Sequence, residues 1–456
     1  MASDESGTRR LLAPLFTTRA MRSVFDDRSR LQAMLDFEAG LARALARTGT
    51  ISRAASEVIA AECRAELYDI DEIAAATAAA GNPAIPLVRR LTNRVAERDE
   101  AAAGHVHLGA TSQDVVDTGL VLQSRKALDQ VEAGLASLSQ GLADLATGHR
   151  DQVLAGRTWL QQGPPVTLGL KAAGWLSAVE RHRDRLSAVR PTVLVLQFGG
   201  AVGTLASLRG AGLEIAAALA DELDLALPDV PWHTQRDRFA EVGATLGLVT
   251  GTLGKLARDL SLLMQTEVGE ALEPAAPGRG GSSTMPHKRN PVSCAVALSA
   301  ATRVPGLVST MLAAMVQEHE RGLGTWQAEW EALPEIFECT AGAIREMDTA
   351  VRGLETRADR MRANLEVTGG QLMAEAVSSA LAGHLGRAEA HRLVAKLCQR
   401  ASQQGRTLHE ILAEDRTIAS IYSAAELDHL LDPASYLGLA GSFVDRVLAR
   451  RDAPDD

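Results

Sequence analysis

The chain has 456 residues, 46% of them hydrophobic and only 3% aromatic, and 47 Lys and Arg against 57 Asp and Glu give a net charge of −10. The apolar set is mostly Ala and Leu, which points to a large helical core, and the acidic balance without a basic run excludes nucleic acid and anionic membrane surfaces as partners. Cys63, Cys294, Cys339 and Cys398 stand far apart with no CxxC pair, which argues against a disulfide framework or zinc site and fits a reduced, cytoplasmic compartment. The acidic start Met1–Ser6 is wrong for a signal peptide, and no apolar run approaches the length of a membrane span.

Residues 1–113 read as a first helical domain. Leu31, Met34, Leu35, Leu41 and Leu45 recur at helical spacing over Ser29–Arg47, a short Ala-rich helix covers Asp71–Ala80 up to Gly81-Asn-Pro83, and another runs Ile85–Glu97. The polar stretch Gly104–Asp114 follows, immediately before a long helix. Its Thr111, Ser112 and Gln113 either cap that helix or offer donors to a ligand. His105 and His107 lack a third ligand at metal spacing, so no metal is expected.

Residues 114–352 carry two heptad seams: Leu128, Val131, Leu135, Leu138, Leu142 and Leu145, then Phe239, Val242, Leu246, Val249, Leu253, Leu256, Leu260 and Leu263. Such seams belong to helices packed nearly parallel in a bundle, and a rod spanning Thr234–Gly269 would be about 50 Å long. Few small globules cover such a rod, which predicts an oligomer built on the central helices. Gly156–Pro165 interrupts two of the helices, with Pro164-Pro165 placed to start the second, and no stretch alternates long enough to demand a sheet. Gln197–Thr204 is a glycine-rich break whose spacing is not a dinucleotide fingerprint.

Gly278–Pro291 is the most chemically loaded stretch. It is a glycine-rich loop bearing Ser282, Ser283, Lys288 and Arg289, and Asn290-Pro291 reads as the cap and first residue of the next helix. A loop of that kind on the positive end of a helix can bind an anion. Glu318–Trp330 is dense in charge and tryptophan, and its Arg321 is either an ion-pair member or a substrate anchor. Residues 353–456 read as a smaller helical domain, helical over Arg387–Arg400, with a loop at Asp432–Gly438 and a last helix ending at Arg450-Arg451.

Three of these blocks together resemble the fumarase/aspartase superfamily: Gly281–Pro291 matches its GSSxMPxKxNP signature, His107–Asp114 its first block and Gly156–Pro165 its second. The resemblance covers nearly the whole chain. It implies an all-α, three-domain fold with a long central helical bundle, a homotetramer whose sites are shared between subunits, and a small polycarboxylate substrate. It implies no cofactor. The chemistry it implies is reversible β-elimination through a dianionic aci-carboxylate, which demands cations and donors aimed at that carboxylate. By position, Ser282 is the general base, and Lys288, Asn290, Thr111, Ser112 and Gln113 meet the developing charge. His107, Thr158, Trp159 and Ser283 complete the substrate-binding set with Arg321; Arg289 is a further candidate cation.

Two positions depart from the superfamily pattern. Most members have His where this chain has Trp159, and a Glu that orients it where this chain has Ala295. That relay assists poor leaving groups. A carboxylate, whose parent acid has a pKa of about 4, needs no such help. With Gly156–Gln162 and Glu318–Trp330, this looks most like the cycloisomerase branch, in which a muconate carboxylate adds to its own double bond and closes a lactone. Lyases that expel another weakly basic anion, such as nitrite, or a nitrogen group, as adenylosuccinate and argininosuccinate lyases do, are the alternatives.

Overall fold

The computed structural model describes residues 11–452; Met1–Ser6 and the acidic tail 453–456 lie outside them. Helix α1 (Asp27–Arg47) is N-capped by Asp26, whose side chain accepts the Ser29 N–H at 2.8 Å. The next two helices read from the sequence are present as Ile70–Ala80, ended by Gly81 in the left-handed region, and Ala84–Ala96. The long helices are α2 (Ser112–Gly148), α3 (Leu168–Val193), α4 (Asp237–Leu263), α5 (Val292–Ala314) and α6 (Thr325–Arg352). All residues of the seams on α2 and α4 are buried. Small residues let helices approach closely: a Cβ on Gly254 of α4 would lie 2.5 Å from the Ala301 Cβ of α5.

Helix α4 is shorter than the rod read over Thr234–Gly269. It has 27 residues, about 40 Å at the helical rise. The chain before it is held by polar contacts of His233 and Arg236, described below. The last helix spans Ala440–Arg451, after a short 3-10 turn at Pro433–Tyr436.

The described residues form two compact units. One holds the chain up to Ala136 with Arg181–Gly254 and Val296–Glu346; the other holds Ser137–Glu180, Lys255–Ala295 and the chain from Met347 on. Within the second, Val377, Leu381, Val394, Leu397, Leu408 and Ile411 form a buried cluster near the end of the chain.

Three readings from the sequence are corrected. The Gly156–Pro165 block is an antiparallel hairpin, β1 (Val153–Thr158) with β2 (Gln161–Thr167), and α3 starts only at Leu168. Pro164-Pro165 sits in β2, where the register shifts between Ala155 and Gly156, because proline cannot donate to the ladder. A Cβ on Gly156 would lie 2.4 Å from the Pro164 carbonyl oxygen, so only glycine fits there. Second, α5 starts at Val292 and Asn290 does not cap it; the Glu273 carboxylate does, accepting the Ser293 and Cys294 N–H groups at 2.9 and 2.8 Å. An internal anion therefore occupies the helix end read as an anion site. Third, α5 is long and apolar enough to cross a bilayer by length and composition. Its one cation, Arg303, is paired with Glu335 and lies 5.8 Å over the Phe16 ring. A second small ladder pairs β3 (Ala271–Leu272) with β4 (Glu355–Thr356).

His182 of α3 is buried, with Nε2 2.7 Å from the Thr252 hydroxyl of α4. Burial, then Arg185 and Arg181, push its pKa from 6.5 down to about 4. Between those values the unfolded chain takes a proton that the folded chain refuses, so this group removes stability as pH falls through 6.5 toward 4. We expect a loss on the order of 1 kcal/mol between pH 7 and 5 that His182→Gln abolishes, read from urea unfolding at the two pH values.

Candidate functional site

In the first unit, the site residues of the first block are built around Asp114, on the first turn of α2. Its fully buried carboxylate accepts Gln197 Nε2 at 3.1 Å, the Gly199 N–H at 3.0 Å and His233 Nε2 at 2.7 Å on one oxygen, and the N–H groups of Thr111 at 3.0 Å and Gly200 at 2.9 Å on the other. The Gln197–Thr204 break thus wraps a carboxylate. Gly200 has φ 70°, and a Cβ there would meet the Gly109 carbonyl at 2.9 Å, which is why glycine is needed.

Arg321 reaches the same block. Its Nε donates to Gln113 Oε1 at 3.1 Å, and Nη2 donates to the Thr111 hydroxyl at 3.2 Å and the Ala201 carbonyl at 3.1 Å. Nη1 makes no hydrogen bond among the described residues, so part of the guanidinium fork stays free. Gln113 is fully buried and spends its amide on Asp117 Oδ2 at 3.0 Å and the His233 carbonyl at 2.7 Å. Its side chain therefore orients Arg321. The Ser112 hydroxyl has no partner among the described residues. His107 has φ 61°, a left-handed conformation rare for a side chain-bearing residue, and its Nδ1 lies 2.6 Å from Glu38 Oε1.

Behind Gln113 lies a buried ionic network. Arg236, 2% exposed, donates Nη1 to Asp117 Oδ2 at 2.6 Å, Nε to Glu329 Oε1 at 3.0 Å and Nη2 to Glu329 Oε2 at 2.5 Å, and it stacks 5.0 Å over the Trp232 ring. Trp326 Nε1 also donates to Asp117, at 2.9 Å. Arg321, Trp326 and Glu329 all belong to the charged Glu318–Trp330 stretch, so that stretch is gripped by the network at one end and presents Arg321 at the other.

The second unit holds the remaining set. The β1–β2 hairpin is held two residues short of its tip by Arg157, whose guanidinium forks onto buried Glu270 at 2.9 and 2.6 Å; Glu270 also accepts Asn364 Nδ2 at 2.8 Å. Its tip is Trp159-Leu160, both in the left-handed region (φ 52° and 62°) and 97% and 77% exposed. Asn-Gly usually fills such a turn, so two large apolar residues there are strained and uncovered. Thr158 is exposed beside them.

The Gly278–Pro291 loop is tied at its neck by the Asn290 N–H to the Gly280 carbonyl at 2.8 Å and Asn290 Nδ2 to the Gly281 carbonyl at 3.3 Å. Ser282 Oγ accepts the N–H groups of Met285 at 3.1 Å and Thr284 at 3.3 Å. Backbone donors aimed at a hydroxyl oxygen stabilise its alkoxide and so make the serine a better base. Ser283 and Lys288 are exposed, with no side-chain partner among the described residues. Arg289 is not available in this way: it forks onto Glu355 at 2.8 Å through both nitrogens and donates to the Glu273 carbonyl, and its hydrogen bonds hold Glu355 below the usual carboxylate range. Ala295 is exposed on the first turn of α5.

Sequence reasoning missed Glu38, His233 and the role of Asp114. Glu38 was detectable as the single charged residue on the buried stripe of α1. His233 sits in a polar run ahead of a heptad helix, which carries no distinguishing signal.

A family model described as "Lyase" matches residues 16–306, and one described as "Adenylosuccinate lyase C-terminus" matches residues 370–447. The chain is 59% identical over 438 residues, 96% of its length and 95% of the relative's, to a 3-carboxy-cis,cis-muconate cycloisomerase of Pseudomonas aeruginosa. The crystal structure of a 3-carboxy-cis,cis-muconate lactonizing enzyme from Pseudomonas putida matches with a TM-score of 0.93 at 53% identity, covering 97% of this chain and 98% of that one. At a greater distance, a nitrosuccinate lyase of Streptomyces davaonensis is 40% identical over 450 residues, covering 97% and 95%.

The Asp117–Arg236–Glu329 network holds two carboxylates against one cation. Burial pushes the Glu329 pKa up, against the pull of Arg236. Arg236→Met should therefore cost about 3–5 kcal/mol of unfolding free energy, because it strands two buried carboxylates, whereas Glu329→Gln should cost much less; urea titrations of the three proteins check this.

Proposed function

The chain belongs to the fumarase/aspartase superfamily and has its all-α fold, and we propose that it is a cycloisomerase that converts 3-carboxy-cis,cis-muconate to 4-carboxymuconolactone. The observation that carries the reading is Arg321, aimed by Thr111, Gln113 and Ala201 with one nitrogen left free. A free guanidinium edge, held on the block that also carries the unpaired Ser112 hydroxyl, suits a substrate carboxylate. The 59% identity to the P. aeruginosa cycloisomerase supports the substrate.

One carboxylate of the substrate adds to the adjacent double bond, forming the ring C–O bond. The electron pair moves onto the carbon next to a second carboxylate, giving the aci-carboxylate dianion. Ser282 then delivers a proton to that carbon; in the reverse direction its alkoxide, held by two backbone N–H groups, removes it. Lys288, Asn290, Ser283, Thr111 and Ser112 meet the negative charge with Arg321, and Gln113 acts through Arg321. Thr158 and Trp159 close the site, with Trp159 as an apolar wall. No metal or cofactor is needed for these steps.

The sites form in a homotetramer, each drawing the first block, the hairpin tip and the Ser282 loop from different subunits. The uncovered Trp159-Leu160 tip supports this, since such a tip is stable only when something covers it. The chain divides as 1–113, 114–352 and 353–456, with the middle part as the oligomer core. The enzyme works in the cytoplasm, which suits its free cysteines.

Purified protein given 3-carboxy-cis,cis-muconate should bleach the conjugated-diene absorbance in the ultraviolet. No bleaching, with rapid consumption of nitrosuccinate or adenylosuccinate alongside, would overturn the assignment. Ser282→Ala should lower kcat by about 10²–10⁴. Co-expressed Ser282→Ala and Arg321→Ala chains should recover activity that neither has alone, because hybrid tetramers contain intact sites; no recovery would place both residues in one subunit's site.

A further inference from the structure

We propose that Glu38 is a positioning residue that holds His107 as an imidazolium, giving the site a third cation, with Arg321 and Lys288, for the carboxylates of its substrate. This rests on the cycloisomerase reading for the identity of the substrate. It does not rest on it for the state of His107.

Glu38 lies on α1, where every other buried residue is apolar or glycine. It is 1% exposed. One oxygen lies 2.6 Å from His107 Nδ1, and the other has no partner among the described residues. A buried carboxylate with a single partner is tolerated only when its charge is met. A neutral imidazole meets it with a dipole; an imidazolium meets it with a full charge. No Lys or Arg pairs with Glu38 among the described residues, so the proton on His107 is what balances it.

The same contact sets the geometry of the ring. Nδ1 carries the proton toward Glu38, which leaves Nε2 on the opposite edge, and the His107 side chain is one-fifth exposed. An Nε2–H donor thus faces outward on the stretch that continues into Thr111, Ser112 and Gln113. The left-handed backbone at His107 shows that the chain accepts strain to place this ring. The charged groups that face it are Glu38 from α1 and Asp114 from α2. Burial works against protonation, but Glu38, by charge and hydrogen bond, and then Asp114 outweigh it, and the pKa lies above 6.5. A substrate with three carboxylates calls for a third cation beside Arg321 and Lys288, and Arg289, committed to Glu355, is not it.

The test has two independent readouts on the full-length protein. With ¹³C-labelled histidine, the His107 resonance, assigned by its loss in His107→Gln, should titrate above pH 6.5 and move higher when tricarballylate is added. Glu38→Gln should bring that midpoint to 6.5 or below, and Glu38→Asp, which keeps the charge, should hold it in between. With 3-carboxy-cis,cis-muconate, Glu38→Gln should raise KM about tenfold at pH 7 with kcat changed less than about threefold, and should add nothing to His107→Gln. An unshifted midpoint in Glu38→Gln, or a resonance indifferent to tricarballylate, would overturn the proposal. If Glu38→Gln does not fold, an Asp variant with the wild-type midpoint and KM overturns it equally. Normal titration and tricarballylate response in a protein that leaves the muconate untouched would sink the cycloisomerase reading and leave the imidazolium standing.

Discussion

Asp114 accepts five hydrogen bonds from donors on three separate stretches of chain. A fully buried carboxylate is tolerated only when donors surround it, so folding must bring the glycine-rich Gln197–Thr204 loop and the His233 turn to the first turn of α2. Everything the first block offers follows from that. The loop so placed presents the Ala201 carbonyl to Arg321, and the turn presents the His233 carbonyl to Gln113. The carboxylate touches none of the groups that face outward, yet it sets where each of them stands.

The second unit repeats the device with different partners. Glu270 takes the Arg157 fork and Asn364; Glu273 takes the first two N–H groups of α5. The first holds the hairpin two residues short of its tip, and the second fixes the attachment of the serine loop to α5. A loop with a fixed attachment and a free tip is what a closing site needs, because the tip can move onto substrate and exclude water while the attachment stays put. It is also a consistent electrostatic design. A site for a polyanion has to be rich in donors and cations, and the protein's own carboxylates sit behind those donors and orient them.

Much of this was legible in the sequence, and the exceptions have physical causes. The seams on α2 and α4 were readable because helix packing leaves a periodic mark. The loop bearing Ser282 was readable because glycine and proline punctuate it. The hairpin was not: a two-residue turn normally announces itself with Asn-Gly, and here the positions are filled by Trp159 and Leu160, with two prolines in the returning strand. The cap of α5 was misread because Asn290-Pro291 has the local pattern of a cap, while the real one comes from Glu273, about one loop upstream. Gln113 was read as a donor to substrate, because a sequence shows which groups a side chain has and not which are already used.

The loss of the histidine relay looks at first like a weakened site, but for ring closure it has the opposite sense. The nucleophile is a carboxylate, which must stay unprotonated to attack. A histidine acid near it would compete for that oxygen, and in the reverse direction the departing carboxylate, with a parent pKa of about 4, leaves without a proton. In the proposed site Trp159 and Ala295 stand at the positions that the resemblance gives the relay, so the relay's own acid is absent there. The difficulty of the reaction then falls on one side only, at the carbon that exchanges a proton and the carboxylate that carries its charge. The groups proposed to serve that side are a serine with two backbone donors at its oxygen and a guanidinium with one free edge, and both suit charge that gathers on a carboxylate.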